Sequence, residues 1–528
     1  MRNFHLPGRS PAYATQAMAA TSTLPSTLAA VEVMKAGGNA VDAAVTASAV
    51  LCVSEPHMTG IGGDCFAIVG LPDGTVRGLN GSGRCSTRAD ADWLKASGLS
   101  SIPDHHVHAV TVPGAIDAWD RLLRAHGTMT LGDALQPAIR LAEQGCPVSD
   151  RTAHDWALQV ERLRADEGAS RHLLKGGNAP KPGDVMRYPA LAETLRTIAR
   201  SGRDAFYAGA LADDMLATVS ARGSLLTRED FAATEATWVE PIATAFAGRD
   251  VLEIPPNGQG ITALIALNVL KRFDLARFAP ESVERRHLET EAMKLAWVLR
   301  NRHVAEAGHM DIAVDDLLSD RTADRLASEI RLDRAITDPA ARVPKRLSDT
   351  IYLCVVDQSG LAVSFINSIY DHFGVGIVTP KTGITLQNRG SCFVTDTTHP
   401  NCIAPGKRPL HTIIPAMVTQ DGAVAMPFGV MGGDYQPTGH VAMALNMFVY
   451  GMDPQASIDL PRTLDENGVL GIEEGVPDSV AAGLAALGHT VVRRPDALGG
   501  AQIISIDRSR GVLVGGSDSR KDGCAMGF

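Results

Sequence analysis

The chain has 528 residues, of which 45% are hydrophobic and 20% charged, and its formal net charge is −10. A chain of this length can bury a large core, and its acidic balance disfavours nucleic-acid binding, which needs a basic surface. No apolar stretch reaches the length of a membrane span or resembles a secretory signal, and the eight cysteines show no zinc spacing. We therefore predict a soluble, cytoplasmic protein with reduced cysteines and no cofactor.

The first part of the chain is predicted to be mainly helical. Residues 24–53 have a helical pattern that is interrupted at Gly37-Gly38, and a glycine-rich loop follows at 55–64. Further on, we expect strands at 65–69 and 76–79, helices from about 113 to 234, a strand at 251–254, and helices that include 287–302. The clustered His105, His106 and His108 could suggest a metal site, but no cysteine or acidic spacing completes one, so we predict a solvated loop and no metal.

Beyond residue 350 the pattern changes to short strands separated by turns. We expect strands at 351–356, 361–366, 384–387, 423–428 and 502–506, and a helix near 438–450. Helices followed by strands predict an α+β fold with layered sheets, in which both parts can contribute to a shared core.

Thr350 stands at the boundary between these two parts. It follows the polar segment 337–349 and opens the apolar run 351–356. Taken alone, it is an ordinary strand residue, because threonine is favoured in strands. If the backbone were cut just before it, however, Thr350 would carry a free α-amine, which titrates near pH 8, beside its own hydroxyl. One residue would then supply both a nucleophile and a general base.

Several segments resemble signatures of the γ-glutamyltransferase family and occur in the same order over nearly the whole chain. The spacing Thr-x-x-x-x-Val-Val-Asp from Thr350 to Asp357 is similar to the context of the family's nucleophilic threonine. The other matching segments are 37–45, 55–63, 112–114, 406–410, 432–433 and 517–520.

This resemblance implies an N-terminal-nucleophile hydrolase with a four-layer αββα core and helical extensions. Such a protein is made as one chain and cuts itself, here between Asp349 and Thr350. The products would be a large-subunit region, 1–349, and a small-subunit region, 350–528, which together form one core. The resemblance leaves open a homodimer of such pairs.

The resemblance also implies a set of catalytic roles. The Thr350 hydroxyl would attack the Asp349 carbonyl in the precursor, and later a substrate amide, with its own α-amine accepting the proton. The backbone N–H groups of Gly432 and Gly433 would stabilise the oxyanion, where a Cβ would obstruct the approach of the backbone. Ser368 occupies the position of a hydroxyl residue that hydrogen-bonds to the nucleophile.

The positions that hold the α-amino and α-carboxylate groups of glutamate in the family carry different residues here. An aspartate that would pair with the substrate ammonium is Cys392, and Arg389 adds a bidentate ligand for a carboxylate. We therefore expect a small amide whose acyl group carries a carboxylate but no amine, as in the branch of oxamate amidohydrolase and glutaryl-type cephalosporin acylases. The candidate substrate-binding residues are Ser82, Arg84, Tyr370, Arg389, Cys392, His411 and Thr412.

Alternatives remain open on the sequence alone. The protein could instead hydrolyse the γ-glutamyl bond of glutathione, or it could be an unprocessed relative that only binds a carboxylate ligand. Arg389 could be a salt-bridged or capping residue, and His411 either a substrate contact or a packing histidine. Tyr370 is either a wall of the pocket or a donor near the nucleophile.

Overall fold

A computed structural model of the protein describes residues 5, 8–337 and 350–528. Its strands, in chain order, are β1 (Ala12–Ala14), β2 (Met18–Thr21), β3 (Asp64–Gly70), β4 (Val76–Gly81), β5 (Cys146–Pro147), β6 (Val185–Met186), β7 (Thr237–Val239), β8 (Ile242–Phe246), β9 (Arg249–Glu253), β10 (Ile351–Val356), β11 (Ala362–Ser368), β12 (Ala416–Gln420), β13 (Ala423–Met431), β14 (Thr463–Glu466), β15 (Val469–Ile472), β16 (Thr490–Arg493), β17 (Gly500–Asp507), β18 (Val512–Ser517) and β19 (Cys524–Gly527).

The α-helices are α1 (Leu24–Lys35), α2 (Ala40–Ser54), α3 (Ala91–Ala96), α4 (Ala115–His126), α5 (Leu131–Ala134), α6 (Gln136–Gln144), α7 (Asp150–Ala157), α8 (Val160–Arg164), α9 (Glu167–Leu173), α10 (Pro189–Ser201), α11 (Asp204–Tyr207), α12 (Ala210–Ser220), α13 (Arg228–Ala232), α14 (Gly260–Leu270), α15 (Val283–His303), α16 (Val314–Leu318), α17 (Asp320–Glu329), α18 (Tyr435–Ala444), α19 (Pro454–Asp459) and α20 (Asp478–Ala486). None of these described helices is both long and apolar enough to cross a membrane.

Two antiparallel seven-stranded sheets form the centre of the described structure. One has the order β1-β18-β17-β13-β12-β9-β8, and the other has the order β19-β2-β10-β11-β3-β4-β7. The sheets pack face to face through β10 and β13, while α1, α2 and α4 cover one outer side and α14, α18 and α19 cover the other. The predicted four-layer αββα sandwich is confirmed.

Each sheet combines strands from before and after Thr350. In the second sheet, Cys354 of β10 pairs with Ala20 of β2, and Phe365 of β11 pairs with Ala67 of β3. In the first sheet, β12 pairs with β9. The helix-rich and strand-rich parts therefore build one shared core. All eight cysteines in it are free thiols.

The long buried helix α2 shows why the predicted elements form where they do. Gly37 has φ of +98°, a left-handed backbone that glycine adopts at little cost and that ends α1. The Asn39 side chain then caps α2 in a capping box with Asp42. Every residue of α2 is buried, and the helix, whose only charged residue is the capping Asp42, packs on β10 and β11.

The strand predicted at 384–387 is not present. Its backbone bonds go instead to two loops: Leu386 accepts from Val375 and donates to Ile377, whereas Gln387 donates to Gly62. A single isolated bridge, Val378 to Thr385, is all the pairing this stretch makes. The apolar pattern indicated burial correctly, but loop contacts replace a continuous ladder. The predicted helix near 438–450 begins earlier, as α18, and continues in a π-helical turn at Leu445–Val449.

A buried polar cluster on α15 holds the chain just before its undescribed segment. His287 donates from Nε2 to the carbonyl of Arg331 at 2.7 Å, and its Nδ1 lies 2.8 Å from Nε2 of His489. The carboxylate of Glu291 accepts the backbone N–H of Ile336 at 2.6 Å. The cluster therefore joins 331–336 both to α15 and to the part of the chain that follows Thr350.

This cluster predicts a loss of stability in acid. Burial, followed by the charges of Lys294 and His287, lowers the pKa of His489 to about 3. An unfolded histidine titrates near pH 6.5, so between roughly pH 6.5 and 3 only the unfolded chain takes up this proton. The contribution of His489 to the free energy of unfolding is therefore complete above that window and falls as the pH is lowered through it.

We expect His489→Gln to lose less thermal stability than the wild type between pH 7 and pH 4, as measured by unfolding temperature. Glutamine keeps a donor for His287 but does not titrate. His154→Gln, at an exposed histidine, is the control and should follow the wild-type profile. An unchanged slope for His489→Gln would contradict the assignment.

Candidate active site

Thr350 lies immediately before β10 and is fully buried. The pairing of β10 with β11 sets Ile351 opposite Asn367, so the next register position places Thr350 beside Ser368. Thr350 Oγ1 and Ser368 Oγ are 3.0 Å apart, within hydrogen-bonding distance. The contact implied for Ser368 is thus present, whereas Asp349 lies outside the described residues.

The hydroxyl of Ser368 is itself held by two donors. The backbone N–H of Tyr370 donates to Ser368 Oγ at 2.9 Å, and Arg389 Nη2 approaches the same oxygen at 3.4 Å. Either hydroxyl can donate in the pair formed by Thr350 Oγ1 and Ser368 Oγ. Ser368 therefore connects the proposed nucleophile to a cationic side chain.

Arg389 is a fully buried guanidinium beside this hydroxyl pair. Its Nη1 donates to Thr412 Oγ1 at 2.7 Å, and its central carbon lies 4.2 Å from the centre of the Tyr370 ring. No acidic side chain pairs with Arg389 among the described residues, and its Nε has no hydrogen-bond partner among them. The salt-bridged alternative for Arg389 therefore finds no support in the described structure. A buried charge of this kind is costly unless an anion neutralises it.

Tyr370 forms the floor under the guanidinium. Its φ is +78°, a left-handed backbone that a residue with a Cβ adopts only at a cost of about 1–3 kcal/mol. That conformation lets one residue donate its N–H to Ser368 while its ring stacks beneath Arg389. Tyr370 is itself buried beneath the guanidinium.

The glycine pair, Gly432 and Gly433, connects the end of β13 to the start of α18. Their φ angles are +120° and +55°, and a Cβ on Gly432 would lie 2.9 Å from the Cα of Gly499. Neither backbone N–H donates to another residue of the described chain. The pair therefore offers two backbone donors in a conformation that favours glycine, as an oxyanion site requires.

The stacked sheets bring the glycine pair and Thr350 to the same end of the sandwich. The ring of Tyr352 on β10 covers Gly429 on β13. Two residues further along β10, Cys354 pairs with Ser364, and the Oγ of Ser364 is 3.4 Å from the carbonyl of Phe428 on β13. Moving back along β10 towards Thr350 therefore corresponds to moving forward along β13 towards the glycines.

A glutamine that the sequence did not single out as functional links the two sides of the site. Gln259, fully buried just before α14, donates from Nε2 to the carbonyl of Thr412 at 2.8 Å and to that of Gly433 at 3.1 Å. A continuous set of hydrogen bonds thus runs from Thr350 through Ser368, Arg389, Thr412 and Gln259 to Gly433.

Asp64 is a second residue that the sequence reasoning missed. Its Oδ1 accepts from the backbone N–H of Gly83 at 2.9 Å and of Gly114 at 3.1 Å, and from Gln387 Nε2 at 2.9 Å. Its Oδ2 accepts from His411 Nε2 at 3.0 Å. The carboxylate thereby fastens together four segments that are distant in sequence. The available signal was an acidic residue opening an otherwise apolar strand.

His411 has the environment of a packing histidine. Its ring lies 4.7 Å from that of Phe66, its Nε2 donates to Asp64, and its Nδ1 accepts the N–H of Ile413 at 3.4 Å. Burial, reinforced by the charge of Arg389, lowers the pKa of His411 to about 3 despite the hydrogen bond to Asp64. The imidazole is therefore neutral, and these contacts favour the packing alternative over substrate contact.

The remaining predicted substrate residues lie in different surroundings. Ser82 Oγ is buried and accepts from Asn257 Nδ2 at 3.1 Å, next to the segment that carries His411. Arg84 forms a half-exposed ion pair with Glu306 at 2.8 Å, so its suggested reach into the site finds no support. Cys392 is buried one turn beyond Arg389.

The three clustered histidines lie in a loop, as predicted. Val107–Ala109 forms a short 3-10 turn, His106 Nδ1 accepts the N–H of His108 at 3.3 Å, and the exposed His105 contacts Arg162 at 2.7 Å. None of them belongs to a metal-capable group among the described residues.

A cavity of about 310 Å³ opens beside Gly432 and is lined in part by Asp155, His372 and Lys521. Ligand atoms of His57, Asp155 and His372 lie within 4.8 Å of one another, a grouping that could hold a metal ion. Two features weaken that interpretation: Asp155 already pairs with a guanidinium at 2.7 Å, and the charge of Lys521 bears on both His57 and Asp155.

The architecture and the site together define a class. A buried threonine hydroxyl at the start of a central strand, inside a four-layer αββα sandwich, is the arrangement of N-terminal-nucleophile hydrolases. Residues 26–528 match the family described as Gamma-glutamyltranspeptidase, and the chain belongs to that family.

Named relatives are similar over nearly their whole lengths. The chain is 38% identical to the glutathione hydrolase-like YwrD proenzyme of Bacillus subtilis (strain 168), covering 94% of this chain and 95% of that protein. It is 35% identical to the oxamate amidohydrolase proenzyme of Klebsiella pneumoniae, covering 94% and 96%. The crystal structure of cephalosporin acylase from Bacillus halodurans superposes with a TM-score of 0.94 at 40% identity, covering 100% and 99%. The chain is therefore an enzyme of this hydrolytic family.

Proposed function

We propose that the protein is a self-processing N-terminal-threonine amidohydrolase that cleaves a small amide whose acyl group carries a carboxylate. The observation that carries this proposal is the environment of Arg389. This buried guanidinium has no acidic partner among the described residues and reaches Thr350 through the single hydroxyl of Ser368. An anionic acyl group would neutralise the guanidinium while placing its amide carbonyl against the Thr350 hydroxyl.

Processing would use the same groups as catalysis. The Thr350 Oγ attacks the carbonyl carbon of Asp349, the peptide C–N bond breaks, and the nitrogen leaves as the α-amine of Thr350. Water then hydrolyses the resulting ester and frees the Asp349 carboxylate together with the Thr350 hydroxyl. The proenzyme names of the relatives support this step, which would divide the chain into 1–349 and 350–528.

In the cleaved enzyme, the α-amine of Thr350 takes the hydroxyl proton as the oxygen attacks the substrate amide. The negative charge that develops on the carbonyl oxygen is stabilised by the backbone N–H groups of Gly432 and Gly433. The leaving amine departs with the proton, and the acyl group remains as an ester on Thr350. Water, deprotonated by the same α-amine, completes the hydrolysis.

The charge balance of the site favours an acyl group without an ammonium. Arg389 provides a positive charge, and Cys392 stands where the family has an acid. Oxamate, a carboxylate joined directly to a carboxamide, has this chemistry, and one relative is named for its hydrolysis. Another relative's name, glutathione hydrolase-like, makes γ-glutamyl hydrolysis the competing function.

A matched pair of substrates tests the proposal. Glutaryl anilide and γ-glutamyl anilide differ only in the α-ammonium, so their kcat/KM ratio measures how the site responds to that charge. We expect glutaryl anilide to be preferred at least about tenfold, because an unpaired ammonium must be desolvated beside Arg389. Oxamate hydrolysis is followed in parallel by ammonia release. A preference for γ-glutamyl anilide would overturn the assigned acyl specificity, and no turnover of any of the three would overturn the proposed activity on carboxylate-bearing acyl groups.

A further inference from the structure

Gln259 lies between the residues proposed to bind the carboxylate of the acyl group and those proposed to bind the oxyanion. It belongs to the loop between β9 and α14, and its backbone N–H donates to the carbonyl of His411 at 3.0 Å. The backbone N–H of His411 donates in turn to the carbonyl of Asn257 at 2.8 Å. The loop is therefore tied to the segment that ends at Thr412, and the side chain of Gln259 starts from a fixed position.

The amide group of Gln259 matches the task of joining two carbonyls. Its nitrogen has two hydrogens, and each is directed to one acceptor, the carbonyl of Thr412 or that of Gly433. Its Oε1 accepts no hydrogen bond from the described residues. The positioning effect of this side chain therefore resides in Nε2, and a side chain of similar size without donors would remove it.

The two acceptors belong to opposite ends of the proposed site. Thr412 accepts from Arg389, which binds the carboxylate of the acyl group. Gly433 is one of the two residues whose N–H groups receive the oxyanion. Gln259 joins these two ends through hydrogen bonds of 2.8 Å to Thr412 and 3.1 Å to Gly433. Both bonds are shorter than the 3.4 Å contact between Arg389 and Ser368.

We infer that Gln259 is a positioning residue that sets the separation between the carboxylate-binding and oxyanion-binding ends, and so selects the length of the acyl group. This inference rests on the proposed function. An acyl group of the fitting length reaches Arg389 and the glycine N–H groups at once, whereas a longer or shorter one can satisfy only one end. A misplacement of about 1 Å costs on the order of 100-fold in rate, so a rigid bridge produces a sharp preference.

The test uses monoamides of dicarboxylic acids that differ by one methylene: oxamate, malonamate, succinamate and glutaramate. In the wild type, kcat/KM should peak at one length. In Gln259→Met, we expect the ratio between the best substrate and its neighbours to fall by about tenfold or more, because the two ends can shift apart. The larger loss should fall on kcat for the best substrate, since alignment rather than carboxylate binding is impaired.

The matched control is Gln455→Met, which removes another buried glutamine. Its Nε2 donates to Asp459 and to the carbonyl of Ser517, in a contact between α19 and β18. This variant should lower the unfolding temperature without changing the length ratio. A merely structural role for Gln259 would give the same result as the control, so an unchanged ratio in Gln259→Met would overturn the inference.

The outcomes separate this inference from the function on which it rests. If the wild type hydrolyses neither the four monoamides nor the anilides of the same four acyl groups, the proposed function is wrong and the inference falls with it. If the wild type shows a length preference that Gln259→Met retains, only the inference is wrong. If Gln259→Met does not yield cleaved protein, Gln259→Leu is measured. Failure of both to fold would show that Gln259 serves folding, and would also overturn the inference.

Discussion

Thr350→Ala should remain a single full-length chain on a denaturing gel, whereas the purified wild type should separate into two fragments. The alanine variant lacks the oxygen that, in the proposed processing step, attacks the Asp349 carbonyl. Because the same oxygen is the proposed nucleophile of catalysis, amidase activity should fall by at least about a thousandfold. N-terminal sequencing should show that the smaller wild-type fragment begins at Thr350.

Thr350→Ser is the matched variant, because serine retains both the hydroxyl and, after cleavage, the α-amine. We expect it to cleave itself and to hydrolyse substrate, although more slowly, since loss of the γ-methyl lets the hydroxyl sample more rotamers. A wild-type chain that stays intact at neutral pH would contradict self-processing. Cleavage of Thr350→Ala at the wild-type rate would show that Thr350 is not the attacking group.

The second large effect is expected at Arg389. Arg389→Met should lower kcat/KM for the best carboxylate-bearing amide by about 100-fold or more, equivalent to about 2.8 kcal/mol. This is the magnitude expected when a charge-assisted hydrogen bond to a desolvated carboxylate is lost. Arg389→Lys should restore little, because a point charge cannot hold Thr412, stack on Tyr370 and bind a carboxylate in two places at once.

Two controls isolate the charge of Arg389 from general damage. The first is a neutral amide of the same acyl length, whose turnover should change little, so that the preference for the anionic substrate collapses. The second is Arg285→Met, at another buried arginine that stacks on a tyrosine ring but pairs with Glu289 on α15. It should lose stability and keep the substrate preference. Equal losses on anionic and neutral amides in Arg389→Met would assign Arg389 to structure.

Local patterns in the sequence identified most of the fold. The interruption at Gly37-Gly38 and the change to short strands after Thr350 each follow from interactions between near neighbours in the chain. The error at 384–387 has the same origin: an apolar run reports burial but not whether its backbone finds one partner strand or several loops. The resemblance of ordered motifs added the four-layer arrangement, which periodicity alone does not specify.

The candidate site was predicted unevenly. The sequence led to Thr350, Ser368 and the glycine pair, because each lies in a short stretch of distinctive residues, and it led to Arg389 by comparison of substituted positions. It did not lead to Asp64 or to Gln259. The hydrogen-bond partners of these two side chains lie far away in the sequence; Gly433, for example, is 174 residues from Gln259.

The sequence by itself thus determined the change from a mainly helical first part to a strand-rich second part, the residue proposed as nucleophile and the reaction proposed for it. The tertiary structure decided which predicted residues meet. It placed Arg389 beside Ser368, the hydroxyl partner of the proposed nucleophile, with no acidic partner in the described chain. It also paired Arg84 with Glu306 and hydrogen-bonded His411 to Asp64. The physical reason is that propensity and capping act within a few residues. Charge pairing and hydrogen-bond satisfaction in a buried site instead depend on which distant segments the two sheets bring together.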